Sequence, residues 1–167
     1  MPVSRVPTAI GAVAVLAAIY SAAPAAAEQN WGINGTFLTS SNGEWAKVND
    51  RYQDQPSERQ TWTISTQCIS PTECTGTVHS DAGWTAPIFT TDGLYYVKRT
   101  IPNWRFCADG AAIEGFQEYK LYPVGSDGHF DLAATEYTGE NRVIGPSGSC
   151  GRNQPPVIHM PFYMKPA

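Results

Sequence analysis

Three polar residues in one short segment have the types and spacing of metal ligands. Asp127, His129 and Asp131 stand at every second position, which places their side chains on one side of an extended chain. Carboxylate and imidazole groups together can hold a divalent cation. The rest of the sequence supplies no recognisable second half of such a site. We therefore interpret the segment as the exposed polar face of a strand, and we predict no metal and no cofactor.

Hydrolase chemistry has weaker support in the sequence. A nucleophile elbow needs G-x-S-x-G between a strand and a helix, and the nearest string, GPSGS at 145–149, does not fit. The histidines His79, His129 and His159 show no catalytic spacing. A glycosidase needs two carboxylates across a cleft, and 15 acidic residues always offer a chance pair. We expect no enzyme activity, with a cell-wall glycan hydrolase using an Asp/Glu pair as the alternative.

Aromatic residues near the ends of predicted strands are a better sign of binding. Trp45, Trp84 and Trp104 lie at such places, and Arg105 directly follows Trp104. Tryptophan and arginine are the side chains that dominate binding surfaces. The loop 101–107 contains a proline and ends in a cysteine, so it can present its side chains with little entropy left to lose. We predict these four residues as the binding site; burial in a leucine-poor core is the competing explanation.

The cysteines Cys68, Cys74, Cys107 and Cys150 allow three disulfide pairings. Cys68 and Cys74 flank a short Ser-Pro turn between two predicted strands. Opposed residues of antiparallel strands are close enough to form a disulfide. We therefore predict a Cys68–Cys74 bridge and, by elimination, a Cys107–Cys150 bridge. A zinc site is less favoured because the spacing contains no C-x2-C pair.

The N-terminus has the features of an export signal. Arg5 precedes an uncharged apolar run over 9–20 that ends in an alanine-rich stretch. Cleavage is expected after Ala27, whose small side chain suits signal peptidase, and an uncleaved N-terminal anchor is the alternative. We predict a signal peptide over 1–27 and one secreted or cell-envelope domain over 28–167, outside the cytoplasm, where disulfides form.

Composition limits what this domain can bind. The chain has 11 Lys and Arg against 15 Asp and Glu, for a net charge of -4, and loss of Arg5 with the signal makes it more acidic. A nucleic-acid-binding face has little to be built from. The chain has 5 Trp, 8 Tyr and 6 Phe, all but Tyr20 after the predicted signal peptide, and these rings supply the apolar surface for a core. We expect one aromatic-cored domain with no nucleic-acid partner and no membrane span after signal cleavage.

Short runs of β-branched and aromatic residues alternate with turn residues along the chain, which predicts an all-β fold. The expected architecture is a single antiparallel barrel or sandwich of about eight short strands. The predicted strands are 35–39, 60–67, 74–80, 85–90, 94–100, 115–124, 129–137 and 157–163. The turns at 91–93 and 125–128 each predict a hairpin, and 41–59 and 143–156 predict long loops. Period-two alternation predicts that these side chains face the core: Trp62, Ile64, Tyr95, Val97, Tyr119, Leu121, Phe130 and Leu132.

Four segments carry a resemblance to known proteins: TSSNGEWAKVND at 39–50, TWTIS at 61–65, CTGTV at 74–78 and GPSGSCG at 145–151. With them the chain resembles a group of small exported proteins of mycobacteria and related actinobacteria. The resemblance covers most of 31–163 and implies an exported all-β domain. It implies no catalytic residue, because the group has no established activity. We therefore expect a non-catalytic binding or interaction module whose ligand or partner is extracellular or in the envelope.

Overall fold

A computed structural model describes residues 31–167, so the predicted signal peptide and its cleavage site lie outside the described residues. The strands are β1 (Gly35–Ser41), β2 (Lys47–Val48), β3 (Arg51–Tyr52), β4 (Glu58–Ser70), β5 (Glu73–Ser80), β6 (Thr85–Thr91), β7 (Leu94–Phe106), β8 (Ala112–Val124), β9 (Glu136–Ile144) and β10 (Val157–Pro166). Two short 3-10 helices, Gly43–Trp45 and Ser149–Gly151, lie in the connections. Within this part of the chain no helix is long and apolar enough to cross a membrane.

The strands form a closed barrel, which confirms the all-β prediction and decides between barrel and sandwich. Eight antiparallel strands follow one another in the order β1-β4-β5-β6-β7-β8-β9-β10, and β10 pairs with β1 to close the circle. The short strands β2 and β3 extend the sheet beyond β10, where Val48 lies opposite Ile158. Closure leaves the eight main strands without an open edge.

Aromatic side chains fill the middle of the barrel. Trp62 is fully buried, and its ring centroid lies 4.8 Å from that of Tyr119 and 5.2 Å from that of Phe162. The predicted inward faces of β4, β7 and β8 are confirmed, since Trp62, Ile64, Tyr95, Val97, Tyr119 and Leu121 are all buried. The centre is therefore a packed core and offers no room for a ligand, unlike the wider barrels that enclose one.

One predicted hairpin is confirmed. Thr91 of β6 lies opposite Leu94 of β7, and Asp92 and Gly93 between them have φ of 52° and 76°. Two consecutive residues with positive φ define the tight turn whose twist suits a hairpin. Glycine takes this conformation without steric cost, and aspartate is one of the few other residues that tolerates it.

The predicted strand over 129–137 is wrong. The partner of β8 begins only at Glu136, and the residues before it form a loop with one isolated bridge between Val124 and Phe130. Side chains compete with strand pairing here, because Asp127 accepts a hydrogen bond from the backbone N–H of His129 and Asp131 accepts one from that of Ala133.

Phe130 and Leu132, which we expected in the core, are instead 55% and 70% exposed. Their alternation with polar residues imitates a half-buried strand, but the loop in which they lie leaves the barrel wall. The actual strand β9 starts later and buries Tyr137 and Val143.

Both predicted disulfides are confirmed. Cys68 and Cys74 lie opposite each other on β4 and β5 and are bonded. Cys107, which follows β7, is bonded to Cys150 in the second 3-10 helix. The two bridges lie at opposite ends of the barrel.

We call the end at which β1 ends and β4 begins the upper end, and the opposite one the lower end. The connections at the upper end are 42–57, 81–84, 107–111 and 145–156. Those at the lower end are 31–34, 71–72, 92–93 and 125–135. Both predicted long loops thus belong to the upper end. The first of them was predicted to lack strands, which is wrong, because it contains β2 and β3.

Candidate functional site

All four predicted binding residues lie at the upper end, but they belong to separate local environments. Trp45 ends the first 3-10 helix and is 62% exposed. Its ring meets that of Tyr52 edge to face at 6.4 Å, and the Lys47 ammonium lies 4.9 Å from the centre of the Tyr52 ring. This pair presents aromatic surface to solvent beside the Lys47 ammonium.

Trp104 is half-buried and covers a small apolar cluster on the inner side of the upper loops. The cluster consists of Ala46, Val48, Ile158 and Met160. Gly115 and Gly145 make room for the indole, since a Cβ on either would come within 2.8 Å and 3.1 Å of its ring. Packing therefore accounts for Trp104 to a large extent, which is the competing explanation given by the sequence.

Arg105 lies beside Trp104 on the outside of the same end. Its guanidinium carbon is 5.0 Å from the centre of the Trp104 ring, a cation–π arrangement. Arg105 also lines a groove of about 340 Å³ next to the disulfide of Cys107 and Cys150. The predicted loop over 101–107 is wrong, because β7 continues to Phe106 with an irregularity between Ile101 and Arg105. Arg105 and Trp104 therefore lie on a strand, and the indole of Trp104 is mostly used in packing.

Trp84 contacts Arg99, a residue that sequence analysis did not identify as functional. Its ring meets those of Trp62 and Tyr119 at centroid distances of 5.4 Å and 6.3 Å. On its other side the guanidinium carbon of Arg99 lies 4.4 Å from the ring centre. Trp84 Nε1 is fully buried and has no hydrogen-bond partner within 31–167. Trp84 therefore links the aromatic core to an arginine that points into the barrel.

Arg99 belongs to a chain of hydrogen-bonded polar residues inside the upper end, which we call the polar network. Its members are Ser41, Glu58, Arg99, Gln117, Tyr119 and Asn141. Arg99 Nε donates to Gln117 Oε1 at 2.6 Å, and Gln117 Nε2 donates to Asn141 Oδ1 and to the Tyr119 hydroxyl, each at 2.9 Å. Buried amides that satisfy one another in this way hold their partners in fixed positions.

Asn141 completes the polar network on the far side. Its Nδ2 donates to Ser41 Oγ at 3.0 Å and to Glu58 Oε2 at 3.4 Å. Glu58 is half-buried at the start of β4. Burial raises the pKa of its carboxyl, and the charge of Arg99 and the hydrogen bond from Asn141 partly oppose this increase.

The Arg99 guanidinium is held in place, but only its Nε donates a hydrogen bond to a described residue. Within 31–167 the salt-bridge contacts are Lys98–Glu118 and, when His159 is protonated, Glu140–His159. Arg99 and Glu58 thus interact without direct contact. Burial lowers the pKa of Arg99, while Tyr119 and Glu58 oppose that effect, and an arginine still stays charged. Its two terminal nitrogens donate to none of the described residues and are not among the fully buried unpaired atoms. They therefore face water.

Replacing Glu58 with glutamine tests the charge balance of the polar network. Because the pKa of Glu58 is raised in the folded state, the folded protein holds this proton more tightly than the unfolded chain. The stability from Glu58 is thus fully present below the ordinary pKa of 4.5 and is lost as pH rises through the folded value. We expect Glu58→Gln to gain stability relative to wild type between pH 4 and pH 8.

The measurement is urea denaturation of both proteins across that pH range. The difference between the two free energies of unfolding isolates Glu58, since the other carboxyls titrate in both proteins. A difference that stays constant, or that moves in favour of wild type as pH rises, would contradict the raised pKa.

The inward arginine was visible in the sequence, although it was missed. In β7 the period-two alternation that places Tyr95 and Val97 inside also places Arg99 inside. A charged side chain on the core face of a strand is the kind of local inconsistency that often marks a functional site. Glu58 was not recognised as part of the inward face, because β4 begins two residues earlier than predicted.

The segment with metal-ligand spacing does not form a metal site in the described part of the chain. Asp127 and Asp131 use side-chain oxygens to hold their own turn, as described above. No group of three or more His, Cys, Asp or Glu side chains within 31–167 lies close enough together to hold a metal ion.

Comparison with known proteins finds a similarity of fold. The chain is similar to the monomer form of the PknI sensor domain of Mycobacterium tuberculosis, with 18% sequence identity and a TM-score of 0.55. The match covers 80% of this chain and 86% of that domain. No protein-family model matches the chain, and no curated protein matches its sequence. The protein thus shares its overall fold with a mycobacterial sensor domain.

Proposed function

We propose that the protein is a secreted or cell-envelope module that binds a ligand without catalysis, and that Arg99 holds a carboxylate or phosphate group of this ligand. The observation that carries the proposal is the half-buried guanidinium whose terminal nitrogens have no partner within 31–167. Placing a cation partly inside a barrel is unfavourable unless something pairs with it. Glu58 offsets the charge from a distance but forms no ion pair.

The surroundings of Arg99 favour a planar anion. Its Nε is fixed by Gln117 and its Cζ lies over the Trp84 ring, so the fork of two terminal nitrogens is held in place. Such a fork matches two oxygens of a carboxylate or phosphate at once. Because these groups are already ordered, binding loses little conformational entropy. Partial burial also strengthens the attraction relative to open water.

Two further observations support an extracytoplasmic binding role. Both disulfides are formed, and disulfides persist mainly in oxidising compartments. The solved domain with a similar fold is named a sensor domain, and a sensor detects something by binding it. That solved domain comes from a mycobacterium, as do members of the group of exported proteins that the chain resembles.

The alternative function, a glycan hydrolase with an Asp/Glu pair, has less support. A pair of catalytic carboxylates would raise one another's pKa across the cleft. Burial has the largest effect on the pKa of the Glu58 carboxyl, followed by Arg99 and Asn141, and no second carboxyl is among the groups that act on it. Glu58 therefore serves better as a counter-charge than as a catalytic acid.

The test is a titration of the purified protein with sodium acetate and with inorganic phosphate at constant ionic strength. Tryptophan fluorescence reports binding because Trp84 contacts Arg99. We expect saturable binding of at least one anion, weakened about 10-fold in Arg99→Lys, which keeps the charge but loses the fork. Glu58→Gln should tighten binding because it removes the neighbouring negative charge.

Arg105→Lys is the matched control, since Arg105 is also an arginine stacked on a tryptophan at the upper end. It should leave anion binding unchanged. No binding of either anion by wild type, or equal binding by Arg99→Lys and wild type, would reject Arg99 as the site. Weakening by Arg105→Lys alone would move the site to the end of β7 around Trp104 and Arg105.

A further inference from the structure

A second candidate site lies at the lower end of the barrel, opposite the polar network. It is a groove of about 530 Å³ between residues 31 and 32, the tight turns and the loop before β9. This volume is in the range of small-molecule sites. Trp31, Leu132, Tyr95 and Tyr137 are among the residues that line it.

Tyr137 brings an unused polar group to this groove. The side chain is only 9% exposed, and its ring is fixed by edge contacts with Phe37 and Tyr95 at 6.3 Å each. Burial, and to a lesser extent Tyr95, raises its pKa to about 12, so the hydroxyl stays protonated and can donate. The hydroxyl has no hydrogen-bond partner within 31–167 and is not among the fully buried unpaired atoms. It is therefore reached from the groove.

Tyr95 lies beside Tyr137, but its hydroxyl is already hydrogen-bonded. The Tyr95 hydroxyl donates to the carbonyl oxygen of Trp31 at 2.9 Å, which ties the segment before β1 to the barrel. Trp31 is still 40% exposed, so part of its ring is open to a ligand. The groove thus has one exposed aromatic ring and one fixed, unpaired hydroxyl.

The lining excludes several ligand classes. None of the described residues that line the groove carries a charge, so an ionic ligand would lose water without gaining a counter-charge. A purely apolar ligand would cover the Tyr137 hydroxyl and leave it unpaired, which is unfavourable. A ligand that fits has both an apolar face and neutral hydroxyl groups.

We propose that this groove binds a neutral saccharide. A sugar ring has an apolar C–H face that packs on an aromatic ring such as Trp31, and hydroxyls that both donate and accept hydrogen bonds. The Tyr137 hydroxyl can serve one of them, and the exposed Leu132 adds apolar contact beside it. This site is independent of Arg99, which lies at the other end of the barrel.

The experiment is isothermal titration of wild type with four neutral oligosaccharides: triacetylchitotriose, maltotriose, cellotriose and mannotriose. We expect at least one to bind. Tyr137→Phe should weaken binding of that sugar about 3- to 10-fold, the effect of one hydrogen bond. Its melting temperature should be unchanged, because the hydroxyl bonds none of the described residues. Leu132→Asp, at an exposed position, should weaken binding of the sugar more than Tyr137→Phe does, because it brings a charge to the groove.

Trp45→Ala and Arg99→Lys, both at the upper end, are the controls and should bind the sugar like wild type. The proposal is rejected if none of the four sugars binds. It is also rejected if a sugar binds equally well to wild type, Tyr137→Phe and Leu132→Asp. Loss of sugar binding in Arg99→Lys would assign the sugar to the polar network instead of this groove.

Discussion

Replacement of Trp62 with alanine is expected to lower the free energy of unfolding by about 3–5 kcal/mol. The indole is fully buried and packs against Tyr119, Phe162 and Trp84. Its Nε1 donates to Gln60 Oε1 at 3.0 Å. Removing it leaves a cavity in the middle of a closed barrel, whose paired strands cannot easily move inward to fill it. A loss of this size is a large part of the stability of an ordinary domain.

Urea denaturation, with circular dichroism as the signal, measures this loss of stability. Trp62→Phe should lose less, because a ring still fills part of the space. Trp45→Ala is the matched control, since Trp45 is mostly exposed and an exposed substitution usually changes stability by less than about 0.5 kcal/mol. Equal losses from Trp62→Ala and Trp45→Ala would mean that the centre of the barrel is not its core.

Removal of the Cys107–Cys150 disulfide is expected to lower the free energy of unfolding by about 4 kcal/mol. This bridge spans 43 positions along the chain, against 6 for Cys68–Cys74. A cross-link between distant residues restricts the unfolded chain more than one between near neighbours, so the shorter bridge should contribute only about 2 kcal/mol.

The double variants Cys107→Ala/Cys150→Ala and Cys68→Ala/Cys74→Ala, compared in urea, test this prediction. Each removes both sulfur atoms, so that no free thiol can form a new bridge. A loss below about 0.5 kcal/mol for the Cys107 pair would show that the core alone holds the upper loops in place.

Features that depend on neighbouring residues were predictable from the sequence. The Asp92–Gly93 turn follows from the φ preferences of two adjacent residues. The Cys68–Cys74 bridge follows from a turn that brings two strands together. The burial of Trp62 follows from the alternation within one strand. In each case the physical cause lies within a few residues of the feature.

Most features that depend on distant residues were not predictable, and the Cys107–Cys150 bridge followed only by elimination once the other two cysteines were paired. The room that lets Trp104 pack comes from Gly115 on β8 and from Gly145 after β9, so no local pattern could decide between burial and binding. The start of β9 depends on which segment pairs better with β8. The alternation at 129–132 resembles that of a strand, although these residues lie in a loop. The polar network also joins residues from β1, β4, β7, β8 and β9, which meet only in the closed barrel.

The pairing of β1 with β10 has a consequence for the rate of folding. Ser41 must find Phe162, at the other end of the described chain, before the barrel can close. Folding slows when the contacts that it needs are far apart in sequence, and β-proteins of this kind fold in about milliseconds to seconds. Until closure, β1 and β10 expose unpaired edges that can join another molecule instead. Refolding should therefore give a lower yield as the protein concentration rises, even though the closed barrel has no such edge.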